Sequence, residues 1–141
     1  MAAQRNFLAL DVGKVRIGLA MANSVSQLPS PMTTLHNDDQ FLALLLQAIE
    51  DNEITDLVVG LPKSLNDTDT EQTIWLRDFN KLLETKIKIP IHLENEALSS
   101  VRAEAELKTI GRTYTKEDVD ALSACFILDD FIKNNPKVVN G

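Results

Sequence analysis

The sequence predicts an α/β fold, a sheet of about five strands with helices on its faces. Three observations lead there. The short unbroken apolar runs Phe7-Leu8-Ala9-Leu10 and Leu57-Val58-Val59 have the density of strands buried on both faces. The first run is followed by a glycine turn and a second apolar run, which is hairpin spacing. From Asn37 onward, amphipathic segments with capping signals alternate with apolar runs, the pattern of strand-helix units.

Taken in order, Asn6–Val12 is the first expected strand, with its apolar run ending at Asp11. Val12-Gly13-Lys14 is a turn, and Val15–Ala22 a second strand. Pro29 and Pro31 mark a loop, and Met32–Leu35 reads as a short third strand. Asn37-Asp38-Asp39-Gln40 resembles a capping box, ahead of Phe41, Leu44, Leu45, Ala48 and Ile49 at helical spacing. Leu57-Val58-Val59 is a strand that ends in Gly60-Leu61-Pro62. A polar loop, Lys63–Asp67, leads to a second capping box, Thr68-x-x-Glu71. The helix behind it is expected to bury Ile74, Trp75, Leu82 and Leu83, with Phe79 between. Pro90 opens a strand through Ile91 and Leu93. Leu98–Ile110 is a helix closed by Gly111. Thr115-x-x-Asp118 starts a last helix that runs to about Asn134, before Pro136.

A chain of 141 residues predicts one domain, residues 1–141, large enough to fold without a disulfide or structural metal. The single cysteine, Cys125, excludes an intramolecular disulfide and a cysteine-rich zinc site. No secretory signal is expected behind Met1-Ala2-Ala3-Gln4-Arg5, and no apolar run approaches the roughly 20 residues that span a bilayer. A soluble cytoplasmic protein with no membrane partner is the expectation. The net charge is −7, unevenly spread: residues 1–20 carry +2 and residues 21–60 carry −6, with no Lys or Arg in the latter. Net acidity opposes nucleic-acid binding at long range. It does not exclude it, because sites that use metal ions on phosphates need acids. The 21–60 block is expected to be a solvated face.

Three acids stand out by position. Asp11 ends a buried strand, where a charge is costly unless it is paired or bound to a metal. Glu96 lies just past another strand, in Glu94-Asn95-Glu96. Asp120 lies in the first turns of the last helix, one turn before the small residues Ser123 and Ala124. Three converging carboxylates would make a hard oxygen site of the type Mg²⁺ or Mn²⁺ prefers. Each acid also has a plainer role: Asp11 as acceptor of backbone N–H groups in the turn at Gly13, Glu96 as a solvated loop acid, Asp120 as a favourable charge near a helix N-terminus. Spacing alone does not bring the three together. His36, His92 and Cys125 have no partner at metal-ligand spacing and read as structural, and Trp75 as core.

The motifs add a resemblance. Leu10-Asp11-Val12-Gly13-Lys14-Val15-Arg16-Ile17-Gly18-Leu19-Ala20 resembles the opening motif of the YqgF/RuvX family, Asp-x-Gly-x-x-Arg-Ile-Gly-x-Ala. Val58-Val59-Gly60-Leu61-Pro62, with Asn66, Asp67 and Glu71, is similar to its second. Asn95-Glu96-Ala97-Leu98-Ser99-Ser100-Val101-Arg102-Ala103-Glu104 is similar to its third, Asp-Glu-Arg-Leu-Thr-Thr-x-x-Ala-Glu. Val119-Asp120-Ala121-Leu122-Ser123-Ala124 resembles its fourth, Val-Asp-Ala-x-Ala-Ala. The resemblance spans residues 10–128 in order. It implies an RNase H-like fold with a five-stranded mixed sheet. It implies a nuclease described both as maturing the 5′ end of pre-16S ribosomal RNA and as a Holliday junction resolvase. By position it makes Asp11, Glu96 and Asp120 the catalytic, metal-binding acids for Mg²⁺ or Mn²⁺. The departures are Asn95 and Ala97, where the family has Asp and Arg, and a loop 63–68 without glycine. Losing an arginine that holds phosphate predicts a weakened enzyme with its metal site intact.

Phosphate contacts are expected from Lys14 and Arg16, and from Arg102, Lys108, Arg112 and Lys116, with Tyr114 placed to stack on a base. Ordinary solvated charges, or an Arg16 salt bridge on its strand, are the competing readings. Three functions compete. The first is a metal-dependent endonuclease on structured RNA, acting on ribosomal precursor particles, or on branched DNA. The second is a non-catalytic nucleic-acid or ribosome-binding module with a degraded site. The third is an actin-like phosphotransferase fragment, suggested by Asp11-x-Gly13, for which the chain is too short to form two lobes. The chain is expected to be a monomer or a homodimer; a branched-junction substrate favours a dimer with two sites.

Overall fold

Strand β1 (Asn6–Val12) lies at the centre of a five-stranded sheet and is apolar on both faces because both are covered. In the computed structural model, which describes residues 3–61, 71–95, 99–111 and 113–140, the sheet order is β3-β2-β1-β4-β5. Strand β2 (Arg16–Asn23) pairs antiparallel with β1, and β3 (Ser30–His36) antiparallel with β2. On the other side β4 (Asp56–Leu61) runs parallel to β1, and β5 (Ile91–Asn95) parallel to β4. Five helices complete the described chain: α1 (Phe41–Asp51), α2 (Glu71–Lys86), α3 (Ser99–Ile110), α4 (Lys116–Asn134) and α5 (Pro136–Asn140).

The two-residue period of a strand sorts the core into two layers. Leu8, Leu10 and Val12 of β1 face α1 and α2, meeting Phe41, Leu45, Leu76 and Leu83. Phe7 and Ala9 face α4, meeting Ala124, Ile127, Leu128 and Phe131, with Phe7 and Phe131 edge to face at 5.8 Å. Asp11 has the parity of Phe7 and Ala9, so the period alone turns it toward α4. That helix touches every strand of the sheet.

Several local expectations are corrected. Strand β2 begins one residue later than expected because Val15 stays in the turn, 65% exposed. Strand β3 is longer than Met32–Leu35 and includes Pro31, tolerated on an edge strand beside a register shift at Leu19 and Ala20. Asn37 is not a helix cap. Its side-chain amide donates to the Gly13 carbonyl at 2.8 Å and its N–H to Val15, so it ties down the β1–β2 turn. α1 starts from Gln40 without a side-chain cap. Leu44 is 48% exposed. On α2 the buried stripe is Leu76, Asn80 and Leu83, continued by Ile87 just past its end, whereas Ile74 and Leu82 are half exposed; the polar Asn80 masked the true stripe. The Thr115 box forms as expected, with Asp118 N–H on Thr115 Oγ1 and Thr115 N–H on Asp118. Thr68, Leu98 and the loop Lys63–Asp67 lie outside the described residues.

One member of the acidic block is not solvated. Asp56 is 1% exposed. It accepts from Thr55 Oγ1 at 2.7 Å and pairs with His92 Nε2 at 2.8 Å, while the Arg5 guanidinium lies 3.8 Å away. Arg5 also donates to the Val138 carbonyl at 2.6 Å. This cluster joins β4, β5 and both ends of the chain. Cys125 is buried in the α4 layer, and burial followed by the charge of Glu106 pushes its thiol up to about 12, so it is an inert core group.

Both residues paired with Asp11 across the sheet are glycines: Gly18 in β2 and Gly60 in β4. A methyl on Gly18 would overlap the Asp120 carbonyl group and the Ala121 nitrogen, all backbone. A methyl on Gly60 would meet only the Ile127 side chain, which can shift. Gly18→Ala is therefore expected to cost about 3 kcal/mol or more, and Gly60→Ala about 1–2 kcal/mol, in urea denaturation. Equal costs would show that α4 can lift from the sheet without penalty.

Candidate active site

Asp11 and Asp120 come together at the end of β1 where the β1–β2 turn meets α4. Asp11 pairs with Gly18 in register, and the Asp120 backbone sits directly over Gly18. Both acids line one cleft of about 350 Å³, with Gly13, Lys14 and Arg16 on its rim. The Arg16 Nε–H donates to Asp120 Oδ2 at 2.6 Å, an ion pair whose side chains are 26% and 17% exposed.

The electrostatics of the two acids differ. Asp11 is raised from 3.8 to about 6, first by burial and then by the charge of Asp120. Among the described residues its carboxylate accepts no hydrogen bond, and the Gly13 N–H it was expected to take goes to the Arg16 carbonyl at 2.9 Å. The plainer role for Asp11 is thereby corrected: the turn closes on itself and leaves the carboxylate to the cleft. Asp120 is instead neutralised by Arg16, whose guanidinium is held charged more firmly than an ordinary arginine by that hydrogen bond and charge.

The other candidates fall as follows. Glu96 and Arg112 lie outside the described residues. Glu94, close to Glu96 in sequence, is buried, and its Oε1 accepts from Asn134 Nδ2 at 2.9 Å. Lys14 lines the cleft and Lys116 an adjoining hollow, and among the described residues neither is in an ion pair. Arg102 is bound to Asp130 at 3.0 Å and lies 4.4 Å over the Phe126 ring. Tyr114 is partly buried and packs against the Ala103, Leu107 and Val119 cluster in the α3–α4 seam. Lys108 is in the last turn of α3. Sequence reading missed Gly18 and Gly60 as the floor of the site and Glu104 as a wall of the adjoining hollow. The available signal was their place in the motifs: Gly18 in the first, Gly60 in the second and Glu104 at the end of the third.

The donors that Asp11 and Asp120 offer are oxygen only, with no His or Cys in the cleft lining, and a desolvated carboxylate beside a second acid attracts a cation. Among the described residues no third such side chain joins them. A hard divalent ion fits the two carboxylates present. Soft metals do not.

A mixed five-stranded sheet in this order, with helices on both faces, has the RNase H-like fold. Thermus thermophilus RuvC, in a structure with a Holliday junction substrate, superposes with a TM-score of 0.57 at 13% identity, covering 94% of this chain and 96% of that one. A family model described as RuvX, Holliday junction resolvase, matches residues 5–134, and the chain belongs to that family. A protein of Maridesulfovibrio salexigens named "Putative pre-16S rRNA nuclease" is 36% identical over 129 residues, covering 89% of this chain and 96% of its own length. One of the same name from Koribacter versatilis is 38% identical over 136 residues, covering 94% and 89%. No described helix is long and apolar enough to cross a membrane.

The position of Asp11 has a measurable consequence. Its native carboxyl binds a proton more readily than the unfolded one, so it favours folding below about pH 4, and that advantage is lost as pH rises through about 6. In metal-free buffer at pH 7.5, Asp11→Asn is expected to be more stable than wild type, by at most about 3 kcal/mol. The pH dependence of its urea midpoint should flatten between pH 4 and 6. A variant less stable than wild type at pH 7.5 would contradict the burial of an ionised Asp11.

Proposed function

We propose that the chain is a divalent-metal-dependent endonuclease that hydrolyses phosphodiester bonds, acting in the cytoplasm as a single RNase H-like domain on the 5′ end of pre-16S ribosomal RNA. The observation that carries this is Asp11: a partly buried carboxylate with no hydrogen bond among the described residues, facing a second carboxylate across one cleft. Relatives named for that activity support the RNA substrate. The family description supports a second reading, resolution of branched DNA.

Asp11 and Asp120, joined by Glu96, would hold Mg²⁺ or Mn²⁺. Such an ion, when bound, supplies an activated water for attack on phosphorus and positive charge for the leaving oxygen. The residues do the rest. Arg16 fixes Asp120 through Oδ2, and Asp120 Oδ1 takes no hydrogen bond among the described residues. It also offsets the repulsion that two acids present to an approaching phosphate. Asp11 is free to turn its oxygens toward a cation. Lys14 and Lys116 are cations without ion pairs among the described residues, placed on the rim for neighbouring phosphates. Arg102, committed to Asp130, contributes less to them.

The test is cleavage of a labelled pre-16S 5′ leader RNA beside a four-way DNA junction, with Mg²⁺, Mn²⁺ or EDTA. Wild type is expected to cut the RNA only with metal. Changes outside a metal's direct ligands already cost roughly 10–100-fold, so Asp11→Asn and Asp120→Asn should each lose more than about 100-fold. Metal-dependent cutting of the junction alone would move the assignment to the second reading. RNA binding without any cutting would make the chain a non-catalytic module.

A further inference from the structure

Beside the cleft lies a second hollow of about 260 Å³, walled by Glu104, Lys116 and Val119 and sharing Arg16 and Asp120 with the cleft. Glu104 and Lys116 face the same space with opposite charges. Among the described residues neither is in an ion pair, with the other or with any third group. Nor does Glu104 join Asp11 and Asp120 as a third metal-binding acid among those residues. Among the described residues, then, the Glu104 carboxylate lines a hollow beside the cleft with no ion-pair partner and outside any group of three acids.

A ligand between the two walls must satisfy both. The Lys116 ammonium only donates and attracts an anion; the Glu104 carboxylate only accepts and needs a donor. A phosphate alone meets the first condition and is repelled by the second. An internal deoxyribose adds no donor, and base N–H donors change with the base, so neither offers Glu104 a partner independent of sequence. A ribonucleotide carries a phosphate and a 2′-hydroxyl on one sugar, and that hydroxyl is what separates RNA from DNA at a given site.

We propose that this hollow is a ribonucleotide subsite, in which Lys116 holds a phosphate neighbouring the scissile one and Glu104 accepts a hydrogen bond from a ribose 2′-hydroxyl. Glu104 is then a specificity-determining residue that favours RNA over DNA. The assignment rests on the nuclease reading and names the substrate class of that same site.

A cycle of protein and substrate changes tests it. Binding is measured in EDTA, where no cleavage intrudes, for wild type and Glu104→Ala. The ligands are the 5′ leader RNA and copies with single 2′-deoxy substitutions walked across the nucleotides around the mature 5′ end. For wild type, one deoxy position is expected to weaken binding about tenfold, the size of a hydrogen bond to a charged acceptor. Glu104→Ala should weaken binding of the all-ribose RNA by a similar factor and abolish the effect of that one position. Two results overturn the assignment while leaving the nuclease reading in place. One is additive losses, with every position acting alike in both proteins. The other is tighter binding of RNA and DNA alike by Glu104→Ala, as expected of an acid that merely repels phosphate. A wild type that binds neither nucleic acid removes the nuclease reading itself, and the subsite with it.

Discussion

The contact on which the candidate site depends is the one between the second turn of α4 and Gly18. Only a residue without a β-carbon lets the Asp120 backbone lie on β2, and only there does Asp120 reach the cleft that Asp11 lines. The approach opposes the electrostatics, since the charge of Asp120 disfavours the ionised form of Asp11. What holds it is the rest of α4. Ala124, Ile127, Leu128 and Phe131 are all at most 2% exposed, and each large apolar side chain contributes about 1.5–3 kcal/mol by burial. Together they outweigh the penalty on Asp11. Arg16 removes part of the remaining repulsion by its ion pair with Asp120. The helix is pinned again at its start, where the Thr34 hydroxyl donates to the Glu117 carbonyl at 2.7 Å.

The opposite end of the sheet has the reverse character. There Asp56 is more deeply buried than Asp11 but satisfied by Thr55 and His92, so it stabilises and has no free valence. Asp11, the acid without hydrogen-bond partners among the described residues, sits at the cleft. One buried carboxylate is satisfied within the sheet, and the other lines the cleft without a hydrogen-bond partner among the described residues, which marks the cleft as the place where function is to be sought.

Much of this was legible in the sequence. The apolar runs gave β1 and β4 because a strand covered on both faces shows no polar alternation to confuse it. Asp11 was conspicuous for the same reason, as a charge closing such a run. The Thr115 cap was legible because capping is local. Asn37 and Asp56 were not, because their partners, the Gly13 carbonyl and His92, are distant in sequence. The stripe of α2 was misplaced because its centre is Asn80. The site itself could not be assembled from spacing: Arg16 and Asp120 are 104 residues apart, and only the sheet register and the position of α4 join them. The motif resemblance supplied that connection for Asp11 and Asp120; it also contained Glu104, whose place beside the cleft shows only once the hollow it lines is seen.

The central claim is that the bare charge of Asp11 is kept for a cation. The most direct measurement is calorimetric titration of the protein with Mn²⁺ at pH 7.5, in wild type and in Asp11→Asn, without nucleic acid. Saturable binding by wild type, weakened more than about tenfold in the variant, is the result this account predicts. Binding of equal strength in both proteins, or none by wild type at millimolar Mn²⁺, would contradict it.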